Sequence, residues 1–141
     1  MSGSPEHASS DPAAQLGSGE VELRVPADSA YIAVLRSVAA GLAARCDLTL
    51  DEIEDLRIAV DEACALLLGP AAVGSFLTTG FVLSPGSLVV TSSVPAPPGF
   101  EPDRTGFGWT VLAALSTAVD LRNADGELSI TLTKNRGDAA R

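Results

Sequence analysis

Between Val21 and Val25 apolar and charged residues alternate strictly, with Glu22 and Arg24 separating Val21, Leu23 and Val25. That is the period of a half-buried strand, and Pro26 ends it. The period then lengthens. Ile32, Leu35, Val38, Ala39, Leu42 and Cys46 recur at helical spacing behind Asp28 or Ser29 as a cap, which predicts a helix over 29–45. Thr49 and Glu52 stand at the positions of a capping box, in which each side chain satisfies a free N–H of the other residue. The helix they open should bury Ile53, Leu56, Val60, Ala63 and Leu67 and stop at Gly69-Pro70.

From Ser75 to Val94 the chain becomes β-branched and apolar, split by Ser84-Pro85-Gly86-Ser87, which reads as a hairpin. Residues 95–105 (PAPPGFEPDRT) hold four prolines and read as a lid-like or partner-facing loop. After Gly106-Phe107-Gly108, the stretch Trp109 to Val119 places Val111, Leu112, Leu115 and Val119 on one face of a third helix. Asp125-Gly126 then turns a last hairpin whose final strand alternates through Leu128, Ile130 and Leu132. The order strand, two helices, two strands, helix, two strands predicts an α/β sandwich (α+β) with one mixed, mostly antiparallel sheet and three helices on one face.

Length and composition narrow this picture. The 141 residues fit one domain, and with 46% hydrophobic but only 4% aromatic residues its core must be aliphatic. Residues 1–19 carry almost no large apolar side chain and are expected to be a disordered tail; 20–136 form the domain and 137–141 a short C-terminal tail. His7, the single histidine, falls in the N-terminal tail, which argues against histidine-based catalysis. A net charge of -9 disfavours nucleic acid and anionic membranes as partners and favours a basic protein. No run reaches the roughly 18 apolar residues of a membrane span, so a cytoplasmic protein is expected. One Lys against eight Arg, with abundant Ala, suggests a GC-rich bacterial genome, actinobacterial in character. Cys46 and Cys64 make neither a metal spacing nor a disulfide framework and read as buried thiols, a redox pair being the alternative. Asp51, Glu52, Glu54 and Asp55 crowd the start of the second helix, where negative charge complements the helix dipole; helical spacing scatters them rather than converging them on a metal.

Three strings in order carry a resemblance: Leu48-Thr49-Leu50-Asp51-Glu52-Ile53 running into Asp55-Leu56-Arg57-Ile58-Ala59-Val60-Asp61-Glu62-Ala63-Cys64, then Thr105-Gly106-Phe107-Gly108-Trp109, then Ile130-Thr131-Leu132-Thr133-Lys134. From about Val21 to Arg136 the chain resembles the anti-sigma-factor serine kinases of the sigma-B and sigma-F (RsbW) type, in the GHKL superfamily of histidine kinases, DNA gyrase and MutL. The resemblance implies a Bergerat-type ATPase (HATPase-like) fold, and it implies site residues. In the family a helical Glu acts as general base on an acceptor serine, and an Asn four residues on holds magnesium. Glu62 matches the Glu, but Leu66 replaces the Asn, and a leucine offers no oxygen to a hard cation. The family's Asp-x-Gly-x-Gly turn, whose Asp takes the adenine amino group, corresponds to the stretch 89–99, where no acidic residue occurs and prolines stand in place of glycines. Gly106 and Gly108 match the glycines that would cradle phosphate, although glycines before a helix also serve plain loop flexibility. Without its Asn partner, Glu62 reads more readily as a solvated acid on a helix face than as a catalytic base. Arg36 aligns with an arginine that in the family contacts both the sigma factor and the anti-anti-sigma protein. Trp109 reads as packing against the sheet, or as an interface anchor if exposed.

The function expected from this resemblance is that of an anti-sigma factor in transcriptional regulation of stress response. Such a protein would bind an alternative RNA polymerase sigma factor as a homodimer and release it to an anti-anti-sigma (STAS) protein, with no cofactor retained. The alternative is an active serine kinase that uses ATP and Mg2+ on the STAS protein, with Glu62 as base. A third reading is a domain of this fold that holds another small molecule under the Pro-rich loop.

Overall fold

The computed structural model describes residues 19–100 and 103–137. The tail expected over 1–19, His7 included, lies outside the described residues except for Gly19, as do residues 101–102 of the Pro-rich loop and 138–141 of the C-terminal tail. In chain order the elements are β1 (Gly19–Pro26), a 3-10 turn (Ser29–Tyr31), α1 (Ile32–Arg45), α2 (Leu50–Leu68), β2 (Phe76–Ser84), β3 (Ser87–Pro95), α3 (Phe107–Leu115), β4 (Ala118–Ala124) and β5 (Glu127–Asn135).

The sheet runs β1-β2-β3-β5-β4, and every pairing in it is antiparallel, so the expectation of a mixed sheet is corrected to a purely antiparallel one among the described residues. Both hairpins turn on two residues whose backbones meet the demand of the turn. Gly86 has φ 76 between β2 and β3, and Asp125 and Gly126, at φ 58 and 77, make the left-handed pair that matches strand twist between β4 and β5. Alternate residues of all five strands point into one aliphatic core: Val25, Leu77, Phe81, Leu88, Val90, Leu121, Ile130 and Leu132 are buried against Leu35 and Ala39 of α1, Leu56, Val60, Ala63 and Leu67 of α2, and Leu112 of α3. The three helices therefore cover one face, and small residues at Ala39, Ala43, Ala59 and Ala63 let them lie close to the sheet.

The helix starts follow local chemistry. Asp28 accepts the N–H of Ala30 at 2.9 Å and opens the 3-10 turn, so the segment expected as one helix from 29 begins as 3-10 and becomes α at Ile32. The capping box at α2 is complete: Thr49 Oγ1 accepts the N–H of Glu52 at 3.2 Å, and Glu52 Oε1 accepts that of Thr49 at 2.8 Å. The second oxygen of Glu52 takes the N–H of Gly137 at 2.6 Å and fixes the end of the described chain on the start of α2. The backbone hydrogen bond from Thr49 is the main reason the Glu52 carboxyl is held below its ordinary pKa.

The third helix corrects a boundary. It ends at Leu115, and Val119 lies on β4 opposite Leu132 rather than on the helix. Apolar residues at Leu115 and Val119 fit helical spacing, but Val119 and Leu121 also fit a strand. Pairing with β5, which begins with the Thr117 N–H donating to the Thr133 carbonyl at 2.8 Å, decides for the strand.

Candidate functional site

Glu62 and Leu66 lie one helical turn apart on α2, both half-buried, and face the start of α3. Gly106 is the N-cap of α3 with extended backbone (φ -78, ψ 171), and no side chain caps the helix. A Cβ on Gly108 would lie 2.8 Å from Glu62 Oε2 and 3.5 Å from Leu66 Cδ2, and one on Gly106 would lie 3.1 Å from Asp103 Oδ2. Neither glycine has a left-handed φ. Close approach, not loop flexibility, is what these two positions require: the glycine at 108 lets α3 rest on the Glu62 carboxylate. The fold thus brings together Glu62, Leu66, Gly106 and Gly108, and the group four residues from Glu62 is an apolar methyl.

The loop leading to α3 is ordered by Asp103, a residue the sequence did not single out. Asp103 Oδ1 accepts the Thr105 hydroxyl at 2.6 Å and the Thr105 N–H at 2.8 Å, and these bonds, the hydroxyl first, hold its carboxyl below the ordinary range. Arg104 reaches over Trp109 with its guanidinium carbon 5.5 Å from the ring centroid. Trp109 itself is half-buried against the core, while Phe107 beside it is exposed. At its far end α3 is held by Lys134, whose Nζ donates to the Leu115 carbonyl at 2.8 Å and to Asp55 Oδ2 at 3.3 Å.

In the stretch 89–99 the chain continues as strand where a glycine turn would fall. Ser92 is buried with its hydroxyl 2.8 Å from that of Thr79, Val94 is buried, and Pro95 still pairs with Glu127. Beyond it, Ala96 is buried with its N–H on the Gly126 carbonyl at 3.0 Å, and Asn123 Nδ2 donates to the Phe100 carbonyl. Cys64 sits against Ser92 under α2. Burial is the main cause that pushes its thiol up to about 12, and with Cys46 also buried both thiols are enclosed and free.

Arg36 stands on α1 and is half-buried. Its Nη1 donates to both oxygens of Asp61 on α2, at 2.8 and 2.6 Å. The arginine predicted to await a partner carboxylate is therefore already held by one from its own chain. Nothing local signals this, since the two residues are 25 positions apart. Among the described residues no three His, Cys, Asp or Glu side chains converge as metal ligands, and no helix is long and apolar enough to cross a membrane.

No family model matches the sequence. A 44-residue segment is 50% identical to the serine-protein kinase RsbW of Bacillus subtilis (strain 168), covering 31% of this chain and 28% of that protein. A segment of the same length is 46% identical to the RsbW of Bacillus velezensis, again 28% of the relative, so the match spans well under a third of these curated relatives. In three dimensions the chain is similar to the crystal structure of the RsbU and RsbW domains of Rv1364c from Mycobacterium tuberculosis, with TM-score 0.63 over 83% of this chain and 32% of that one. At 13% identity that likeness shows the fold alone. What the chain shares with the RsbW serine-protein kinases is therefore a segment of 44 residues at 50% identity, and its fold is similar to that of the RsbU and RsbW domains.

Proposed function

We propose that the chain is an anti-sigma factor that sequesters an alternative sigma factor in the cytoplasm, acts as a homodimer and yields to an anti-anti-sigma STAS protein, with ATP binding and kinase activity weakened or lost. The observation that carries this reading is the Glu62–Leu66–Gly108 contact, where the position of a magnesium-holding oxygen is a leucine methyl 3.5 Å from a Cβ built on Gly108. A hard cation takes oxygen ligands, and metal-bridged phosphates need them fixed in place. The residues present do not fit that group. The stretch 92–98 supports the same reading: it has no carboxylate to receive an adenine amino group, and Ser92, Val94 and Ala96 point into packed protein.

Glu62 and the two glycines favour a second reading, an active serine kinase that uses Mg-ATP on the STAS protein, because the candidate base and the helix start that would face phosphate do lie together. Titration calorimetry with Mg-ATP separates the two. The expected result is no heat of binding at micromolar nucleotide. Micromolar affinity that Glu62→Ala weakens, with phosphate transfer to a STAS protein, would establish the kinase instead.

A further inference from the structure

The described helices leave the inner face of β1 open. α1 lies against β2 and β3, and α2 against β3 and β5, so the sheet order puts β1 outside both. Val21 and Leu23 belong to the alternation that faces the core, with Val21 opposite the buried Phe81, yet Val21 is 38% exposed and Leu23 only half-buried. The flank of α1 beside them is apolar too. Leu35, Ala39 and Ala43 are the buried stripe of that helix, and Arg36, to one side of the stripe, is held by Asp61 of α2. Val34, Val38 and Leu42 recur every four residues on the other side, which therefore looks toward β1. Val34 is 44% exposed, and Val38 and Leu42 are half-buried. Strand and helix thus border an apolar trough that is open to water. Its two ends are fixed by the backbone: Gly86 donates its N–H to the Cys46 carbonyl at 2.8 Å, which sets the C-terminal end of α1 at the β2–β3 turn, and Gly19 pairs with Leu83 beside the same turn. Leu42 therefore lies at the Gly19 end of β1.

We propose that residues 12–16 of the same chain cover this trough, docking as a short helix that seats Leu16 between Leu42 and Val21. Composition alone reads 1–19 as a tail, but one run in it carries helix signals at both ends. Asp11 stands where an N-cap is wanted, Pro12 at the first helical position and Gly17 just past the last, with Ala13, Ala14, Gln15 and Leu16, three of them strong helix formers, between. Five helical residues rise only about 7 Å, the distance of a little more than one turn from Leu42 to Val38. A helix so short does not hold in water by itself and needs a face to rest on. It has the side chains for one: Pro12, Ala13 and Leu16 share a side at i, i+4 and i, i+3 spacing, and Leu16 is the one large apolar residue between positions 2 and 18. The link is placed to allow it. Gly17 and Ser18 lead into Gly19 at the Leu42 end of the trough, and Gly19 has φ 130, a conformation open to glycine that lets the chain turn back over the strand. The docked segment lies on the flank of α1 opposite Arg36 and leaves that arginine clear.

Hydrogen exchange on the full chain, read by mass spectrometry over 11–18, 31–42 and α2, tests it. In the wild type the amides of 13–16 are expected to exchange about tenfold or more slowly than in Leu16→Asp. Val21→Asp, a change at the other side of the contact, is expected to free the same amides while α2 keeps its protection, which a helix that is merely local would not show. Wild-type amides of 13–16 that exchange as fast as those of Leu16→Asp overturn the proposal. The trough then belongs to another occupant, a second copy if protection of 31–42 falls on dilution and a different protein if it does not. Protection of 13–16 that survives Val21→Asp in a folded protein overturns it as well. If Val21→Asp does not fold, disulfide formation decides. Leu16→Cys is expected to close with Val38→Cys inside one chain about tenfold faster than with Ser37→Cys, which sits on the solvent side of α1. Equal rates, or a bond between two chains, overturn the docking.

Discussion

Arg36 on α1 and Asp61 on α2 form a one-nitrogen clasp, with Nη1 of the arginine donating to both carboxylate oxygens at 2.8 and 2.6 Å. The two side chains keep 32% and 39% of their surface in water, so the pair is screened and contributes little to folding: a double-mutant cycle of Arg36→Ala and Asp61→Ala in urea is expected to give a coupling of about 0.5–1 kcal/mol. Its consequence for binding is different. Nε and Nη2 are not used by Asp61, and a partner carboxylate has those donors to engage. Under the proposed function, Arg36→Ala is therefore expected to weaken binding of a sigma factor by ~1–3 kcal/mol in a biosensor titration, whereas Asp61→Ala, which frees the same guanidinium, is expected not to weaken it. Equal losses from both variants would mean that the clasp itself, and not the arginine, is what the partner reads.

The approach of α3 to Glu62 gives a sign change. In a helix Gly→Ala ordinarily stabilises by ~0.5–1 kcal/mol, but at Gly108 the new methyl would meet Glu62 Oε2 at 2.8 Å. Gly108→Ala is expected to be neutral or destabilising in the wild type and stabilising by about 0.5–1 kcal/mol in a Glu62→Ala background, where only the ordinary contact with Leu66 remains. Urea midpoints of the four proteins read this directly, and additive effects would mean that the carboxylate does not lie against Gly108.

Most of the fold was legible from period alone, because strands that bury one face alternate strictly and α2 carries its own start signal in Thr49 and Glu52. The α3–β4 boundary was not, since Leu115 and Val119 satisfy a helix and the choice falls to pairing with β5. At the site, Glu62, Leu66, Gly106 and Gly108 could be named from local strings, and the fold brings them into contact. Asp61 and Lys134 could not be given their roles, because each acts on a residue from a distant part of the chain, and opposite charge alone does not say which of 18 acidic residues meets which of nine basic ones.

Lys134, with only 12% of its side chain in water, joins three elements: it sits on β5, pairs with Asp55 of α2 and takes the last free carbonyl of α3 at Leu115. Lys134→Met keeps the aliphatic stem but leaves that carbonyl without its charged donor, which costs about 1–3 kcal/mol. The loss is expected to appear as a lower urea midpoint together with faster amide exchange in 107–115 than in α2. Uniform loss of protection across both helices would show that the lysine supports the whole domain and not the end of α3.

The thiol of Cys64 gives a pH dependence whose sign can be worked out. Burial raises it from its ordinary value of 9.0 to about 12, so in the folded chain it stays protonated while the unfolded chain ionises. Between those two values the unfolded state binds fewer protons than the folded state, and stability falls as pH rises, by up to about 1.4 kcal/mol per pH unit for one group. Below pH 9 the contribution is fully present, and it is lost by the time the folded thiol itself titrates. The informative quantity is the difference in slope between wild type and Cys64→Ala in urea unfolding at pH 9 to 11. The alanine variant is expected to start less stable and to lose stability more slowly with pH. Parallel slopes would require the Cys64 thiol to ionise as easily inside the fold as outside it, which its burial against Ser92 and the aliphatic core forbids.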